Sequence, residues 1–214
     1  MQIRRTANAG VLLEMDGVSI LLDGVCAEAK PYLVTPDAVR QQLLQQPPDA
    51  VAFTHTHTDH YDGLFVSDYL QKSAGPVLGP AELPYSLCET LCIGGVTIMP
   101  VQSQHLGRTD KTPHYSYVIK GSRCVWFMGD ASVQHWLDRP DLPRPDVLIA
   151  PYGFAVGHGW KVTKALSPSV VVLLHLPLRV ADPFGLWEAV EQTVGNDRIP
   201  QLLIPGLGET ITLK

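Results

Sequence analysis

Residues 54–60 place three histidines and one aspartate within six positions, in the order His-x-His-x-Asp-His. The apolar run at 50–53 just before them has the composition of a buried strand. Imidazole nitrogens and carboxylate oxygens are ligands for Zn²⁺, Mn²⁺ or iron rather than for soft Cu(I). Crowding four such groups onto one turn is unfavourable unless something holds them together. The segment therefore predicts a metal site at the end of a strand.

The composition is that of an ordinary globular protein, with 45% hydrophobic and 17% charged residues. A length of 214 residues without repeats or linkers predicts a single domain over residues 1–214. The net charge of −5 argues against nucleic acid as a partner. The sequence shows neither the apolar core of a signal peptide nor a membrane-spanning stretch, so we expect a cytoplasmic protein with no membrane partner. The four cysteines fit no disulfide framework or zinc-binding pair pattern.

Hydrophobic periodicity and turn signals predict an α/β protein. Asp16-Gly17 between two β-rich runs is typical of a hairpin. The predicted strands cover residues 11–15, 18–22, 50–53, 77–78, 96–101, 115–119, 123–128, 146–150, 170–174, 201–204 and 210–213. The predicted helices cover residues 36–46, 61–72, 81–92, 160–166 and 184–194. Strands at both ends of the chain with interspersed helices favour two packed sheets covered by helices.

Four further polar residues share one property, because each lies at or just beyond the end of a predicted strand: Asp23, His105, Asp130 and His175. The histidine-rich segment does the same. In sheet-based α/β folds, sites assemble at this edge because strand ends converge there and the loops can be shaped freely. We therefore expect these residues to join the metal site.

Each of these positions also has a simpler interpretation. His114, just before a predicted strand, competes with His105 as a ligand, although His105 follows its strand more directly. Its simpler interpretation is an exposed histidine or one that supports the ligands through hydrogen bonds. Asp130 could be a turn aspartate after Gly129. His175 could be a buried histidine of the core, and Asp23 could cap a turn.

The pattern resembles the metallo-β-lactamase fold superfamily of metal-dependent hydrolases. The resemblance rests on His55-x-His57-x-Asp59-His60, on His105 after a strand, on Phe127-Met128-Gly129-Asp130, on His175 after the run at 170–174, and on Leu21-Leu22-Asp23-Gly24. Motif order and approximate spacing fit over nearly the whole chain. The resemblance implies an αββα sandwich of two mixed β-sheets flanked by helices.

The resemblance also implies two divalent metal ions, with zinc expected first and manganese or iron as alternatives. In this scheme His55, His57 and His105 hold one ion, while Asp59, His60 and His175 hold the second and Asp130 bridges the two. Asp23 orients ligands through hydrogen bonds. Asp59 is also the candidate catalytic residue that orients the nucleophile or accepts its proton.

The function expected from this scheme is hydrolysis of a small-molecule ester, lactone or related bond, by attack of a hydroxide that bridges the two metals. Among family members, the sequence looks closest to compact lactonase-like hydrolases. The stretch Gln104-His105-Leu106-Gly107 departs from the glyoxalase II pattern, which argues against a thioester substrate. The alternatives are a phosphodiesterase or ribonuclease-like hydrolase, and an iron-dependent oxidoreductase on the same fold.

Residues outside the ligand set offer candidates for substrate contact. His158, between two glycines, could protonate a leaving group or be an ordinary surface-loop histidine. Arg108, Lys111, Lys161 and Lys164 could recognise a phosphate or a carboxylate, or could be solvated surface residues. The substrate itself and the oligomeric state are not written in these residues.

Overall fold

The computed structural model describes residues 1–27, 34–81, 83, 86–107, 111–134, 136–195, 197 and 200–214. Its strands, in chain order, are β1 Gln2–Arg5, β2 Val11–Met15, β3 Val18–Leu22, β4 Ala50–Ala52, β5 Val77–Leu78, β6 Ser86–Leu87, β7 Leu91–Ile93, β8 Val96–Ser103, β9 His114–Lys120, β10 Cys124–Phe127, β11 Val147–Pro151, β12 Val170–Leu174, β13 Gln201–Leu203 and β14 Thr210–Thr212. Its α-helices are α1 Asp37–Gln45, α2 Gly63–Lys72, α3 Gly157–Leu166 and α4 Leu186–Val194. Two short 3-10 helices span Tyr152–Ala155 and Arg179–Ala181.

The described strands form two seven-stranded sheets, each with a parallel part and an antiparallel part. The first has the order β14-β1-β2-β3-β4-β5-β6, and the second has the order β13-β12-β11-β10-β9-β8-β7. Each sheet is mixed. The run from β3 to β6 and the run from β10 to β13 are parallel, whereas the other pairings are antiparallel. In each sheet, the parallel part is the one whose strand ends carry most of the predicted ligands.

The alternation of apolar side chains along the central strands explains the layered packing. In β12, Val170, Val172 and Leu174 point into the core between the sheets, whereas Val171 and Leu173 pack on the outer face with residues of α3 and α4. Successive side chains on a strand face opposite ways, so a strand that is apolar at every position must be covered on both faces.

The first sheet is covered in the same way. Leu21 of β3 packs on its outer face with Leu43 of α1 and with Phe65 and Tyr69 of α2, while Ile20 faces the other sheet. The layers therefore run helices, sheet, sheet, helices. The predicted αββα sandwich of two mixed sheets is confirmed.

One predicted helix is wrong. Residues 81–92 were expected to be helical, but Ser86–Leu87 pairs with β5 and Leu91–Ile93 pairs with β8. The leucine spacing in this stretch imitates a helical period, yet Pro84 within it lacks an N–H for a helical hydrogen bond. Each half of the stretch instead pairs with the edge of a different sheet. None of the described helices has both the length and the apolar character needed to cross a membrane.

Candidate metal centre

The predicted ligands meet at one edge of the two sheets because each follows a strand. The segment 55–60 follows β4, Asp130 lies three residues after the end of β10, and His175 directly follows β12. Asp23 and His175 have positive φ values of 45° and 61°, a left-handed conformation that is uncommon for residues other than glycine. Backbone strain of this kind is tolerated where the surrounding structure fixes it, and it occurs often at functional sites.

A glycine allows the two sheets to approach each other closely beside the site. A Cβ on Gly129, which has a φ of 55°, would lie 2.5 Å from the side chain of Thr54. Only glycine combines this backbone conformation with the missing side chain. Gly129 therefore brings Asp130, on the second sheet, next to the segment that follows β4 on the first.

The structure brings the seven predicted ligands together in two neighbouring groups. The His group consists of His55, His57 and His105, and the mixed group consists of Asp59, His60, Asp130 and His175. Within each group, the potential ligand atoms all lie within 4.8 Å of one another. The rings of His55 and His60 are 4.2 Å apart between centroids, so the two groups are in contact.

Asp130 reaches both groups. Its Oδ2 lies 3.4 Å from the Nε2 atoms of both His60 and His175, and 3.8 Å from Nε2 of His105. Burial opposes ionisation, but the positive charges of His175 and His60 hold the pKa of Asp130 well below its usual value. Asp130 is therefore a carboxylate that lies between the two candidate ion positions.

In the His group, the hydrogen bonds of His55 fix its tautomer. The hydroxyl of Thr54 donates to Asp23 Oδ2 at 2.6 Å, so its oxygen accepts from Nδ1 of His55 at 2.9 Å. The Nε2 atom is then an unprotonated acceptor, and it is buried without a hydrogen-bond partner among the described residues. Burial, together with neighbouring His60 and His114, holds the pKa of His55 far below its usual value. A buried, neutral imidazole with an unused lone pair fits a metal ligand.

In the mixed group, carboxylates and imidazoles interact directly. His175 Nε2 lies 3.0 Å from Asp59 Oδ2. Burial opposes the positive charge on His175, but Asp130 and Asp59 more than offset it and raise its pKa to about 9. Burial also opposes the charge on Asp59, yet the hydrogen bond with His175 lowers the pKa of this carboxyl. Two carboxylates and two imidazoles can bind a divalent cation in place of the protons that the imidazoles carry in its absence.

Asp23 supports both groups through hydrogen bonds. The side chain is fully buried and accepts from the backbone N–H of Thr54 at 2.7 Å, from the Thr54 hydroxyl, and from His60 Nδ1 at 2.8 Å. Burial raises the pKa of Asp23, and the hydrogen bonds from His60 and Thr54 oppose that rise. The structure thus gives Asp23 hydrogen bonds that orient His60 directly and His55 through Thr54.

Comparison with known proteins agrees with this geometry. A family model described as a beta-lactamase superfamily domain matches residues 2–175, a range that ends at the last predicted ligand. The chain belongs to the beta-lactamase superfamily. The resemblance drawn from the sequence is therefore confirmed, whereas the lactonase-like branch stays a prediction. The comparison with curated proteins gives no match.

Solved structures share the superfamily fold along the whole chain. A possible metal-dependent hydrolase from Veillonella parvula has a TM-score of 0.75 at 20% identity, covering 100% of this chain and 99% of that one. An isothiocyanate hydrolase from Delia radicum gut bacteria has a TM-score of 0.70 at 21% identity, covering 100% and 99%. CmlA, a diiron β-hydroxylase from Streptomyces venezuelae, has a TM-score of 0.57 at 14% identity, covering 88% of this chain and 46% of that one. At these identities, the likeness concerns the fold.

His114 is not among the clustered ligands but supports one of them through hydrogen bonds, which is one of the alternatives that the sequence left open. Its Nε2 accepts from the backbone N–H of Asp130 at 3.1 Å, so Nδ1 carries the proton and donates to Ser103 Oγ at 2.7 Å. Ser103 donates in turn to Ser116 at 3.1 Å, and Ser116 donates to the carbonyl oxygen of Met128 at 3.0 Å. Burial lowers the pKa of His114 to about 3, so the imidazole is neutral. This chain of hydrogen bonds fixes the backbone that carries Asp130.

The signal for His114 was present in the sequence. Strand β9 begins at His114, one residue earlier than predicted, and His114 and Ser116 alternate on one buried face. A polar residue at every second position of an otherwise apolar strand indicates an internal hydrogen-bond network.

The structure does not bring His158 into either group. This histidine is exposed in the first turn of α3, and no described contact links it to the site, so its proposed catalytic role stays a prediction. Of the four basic residues, Lys164 pairs with Asp197 at 3.0 Å and Lys161 is exposed on α3. Lys111 lies beside the His group, and Arg108 lies outside the described residues.

Proposed function

We propose that this chain is a metal-dependent hydrolase that binds two divalent cations, zinc first among them, and cleaves a small-molecule ester, lactone or related bond. The proposal rests on one observation, the two adjacent groups of ligand side chains. In the His group, Nε2 of His55 is buried without a hydrogen-bond partner among the described residues, as expected for a nitrogen that binds a metal. When bound, divalent cations lower the pKa of water and polarise the bond to be cleaved.

The residues of the site have separate roles beside those of the cations. Asp23 and Thr54 hold His55 and His60 in the tautomers that leave Nε2 of each directed at its group. Asp59 is the candidate to orient the nucleophile or accept its proton, because its side chain is 15% exposed at the surface of the mixed group. His114 keeps the Asp130 backbone in place. None of these tasks requires a residue outside the site.

The substrate class and the metal distinguish this proposal from its alternatives. The same nitrogen and oxygen ligands accept iron, and CmlA, whose fold is similar, is a diiron β-hydroxylase. An iron-dependent oxidoreductase is therefore the second candidate. A phosphodiesterase or ribonuclease-like activity remains the alternative within hydrolysis.

Elemental analysis followed by a substrate screen tests the proposal. We expect about two zinc or manganese ions per chain, fewer in His57→Ala, and an unchanged number in the matched control His158→Ala. The metal-loaded protein should hydrolyse lactones or esters, and a chelator should abolish that activity. Iron as the dominant metal would favour the oxidoreductase. A chain that takes up no metal when it is supplied, or hydrolysis that persists in the chelator, would refute the proposal.

A further inference from the structure

A cavity of about 530 Å³ opens beside the His group. Its wall includes His105, His114 and Thr112, and the Oγ1 atom of Thr112 lies 3.3 Å from Nε2 of His57. Cavities of this size hold small organic molecules. A molecule bound there would contact His105, which belongs to the His group, and would lie beside Thr112, which contacts His57.

The described lining of this cavity includes several polar side chains and carries positive charge. It contains the three carboxamides of Gln102, Gln104 and Gln134, the cations Lys111 and Arg139, and no carboxylate among the residues that the structure describes. The chain as a whole has a net charge of −5, with 21 acidic against 16 basic residues. The cavity therefore departs from the rest of the protein in the sign of its charge.

The two cations are held in different ways. Arg139 donates from Nε and Nη2 to the carboxylate of Asp141 at 2.9 and 2.7 Å, which fixes the guanidinium and offsets its charge. Lys111 is exposed and forms no ion pair with a described residue. It directly precedes Thr112, the residue in contact with His57. Among the described lining residues, Lys111 is thus the cation without an ion-pair partner, and it is adjacent in sequence to the residue that contacts His57.

The lining also includes one fixed aromatic side chain. Trp136 is buried, and its Nε1 donates to the carbonyl oxygen of Ser132 at 2.8 Å, so the indole is fixed. A fixed aromatic surface beside amides and a cation suits a compact organic anion, because the ring contacts the body of the molecule while the polar groups orient it.

We propose that this cavity is a substrate subsite for a small molecule with a carboxylate or phosphate group, and that Lys111 recognises that anion. The role of the subsite in turnover rests on the proposed hydrolase function, whereas anion binding does not. An ionic contact away from the reacting bond positions the substrate, so binding energy is used to orient the bond to be cleaved at the metal centre.

Isothermal titration of the metal-loaded protein with benzoate, phenyl phosphate and neutral benzamide tests the proposal. We expect at least one anion to bind more tightly than benzamide, and the tighter of the two anions identifies the group. Lys111→Gln should weaken that binding about fivefold. The matched control Lys161→Gln removes the same charge from an exposed position on α3 and should change the affinity by less than about twofold.

Three results would overturn the subsite. The first is that benzamide binds as tightly as the anions, and the second is that neither anion binds at millimolar concentration. The third is equal binding in Lys111→Gln and the wild type, which would mean that the anion binds to the metals alone. Failure of the hydrolase proposal looks different, since the anion would still bind through Lys111 although no ester or lactone is cleaved.

Discussion

The His group and the mixed group bury polar side chains in opposite ways. In the mixed group, carboxylates lie against imidazoles: Asp59 and His175 are 3.0 Å apart, and Nε2 of His60, which has no hydrogen bond among the described residues, lies 3.4 Å from the Asp130 carboxylate. The His group contains only imidazoles, and His55 leaves a buried Nε2 without a hydrogen-bond partner in the described part of the chain. The mixed group can therefore hold protons where a cation would bind. The His group has no such substitute, and it depends on the hydrogen bonds of Thr54 and Asp23 to keep its shape.

The largest effect should come from the residue that joins the two groups. Asp130→Ala removes a carboxylate oxygen that lies within 3.4 to 3.8 Å of three histidines across both groups. We expect metal affinity to fall more than about a hundredfold at both positions, because loss of a ligand exceeds the usual effect of losing an outer partner. His57→Ala should affect the His group alone. Competition with a chromophoric chelator measures both affinities, and an Asp130→Ala protein that loses only one ion would show that Asp130 does not serve both groups.

The pH dependence of stability should separate the metal-free protein from the loaded one. The pKa of His175 is raised from 6.5 to about 9 in the folded chain, so the folded state binds this proton more tightly than the unfolded state does. The stabilisation is complete below pH 6.5 and is lost as the pH rises through about 9.

Urea unfolding over this pH range provides the measurement. The metal-free protein should lose unfolding free energy towards the alkaline end, and the metal-loaded protein should lose less because a cation replaces the proton. A metal-free protein whose stability is constant between pH 6.5 and 9 would contradict the ion pairs described for the mixed group.

Substitutions at Asp23 and Thr54 can separate the hydrogen bonds that support each group. Asp23→Asn places an amide where Thr54 and His60 both donate, and we expect metal affinity to fall about 10- to 100-fold. Thr54→Val removes the hydroxyl that joins His55 to Asp23 but leaves the hydrogen bond between Asp23 and His60, so it should weaken the His group more than the mixed group. Equal losses at both positions in Thr54→Val would mean that the two groups are not supported separately.

The smallest effect should come from His114. His114→Phe removes the acceptor for the Asp130 backbone N–H, whereas His114→Gln can keep one through its amide oxygen. We expect about tenfold weaker metal binding in the phenylalanine variant and partial recovery with glutamine. The visible absorption spectrum of the cobalt-substituted protein reports ligand geometry. A spectrum unchanged in both variants, with both correctly folded, would show that His114 does not position Asp130.

The comparison also shows how far sequence reasoning reached. Most strands and helices, the edge on which ligands gather and the identity of all seven clustered residues were predicted, because strand-end polar residues and buried apolar runs are local signals. Strand β1 at Gln2–Arg5 was not predicted. The stretch 81–92 was misassigned because its leucines imitate a helical period. The role of His114 was left open between ligand, support and surface residue because its hydrogen bonds depend on a partner strand, β8, that contributes Ser103.

What the sequence by itself determined is the chemistry available at the site and the faces of the central strands. A histidine-rich segment after an apolar run, and a strand such as β12 that is apolar at every position, can be read without knowing their neighbours. Only the tertiary structure decided which ligands share a group and that Asp130 reaches both. Those facts depend on how the two sheets are packed face to face. Asp59 and His175, for example, meet at the site although they are 116 residues apart in the sequence. Local periodicity carries no information about that distance.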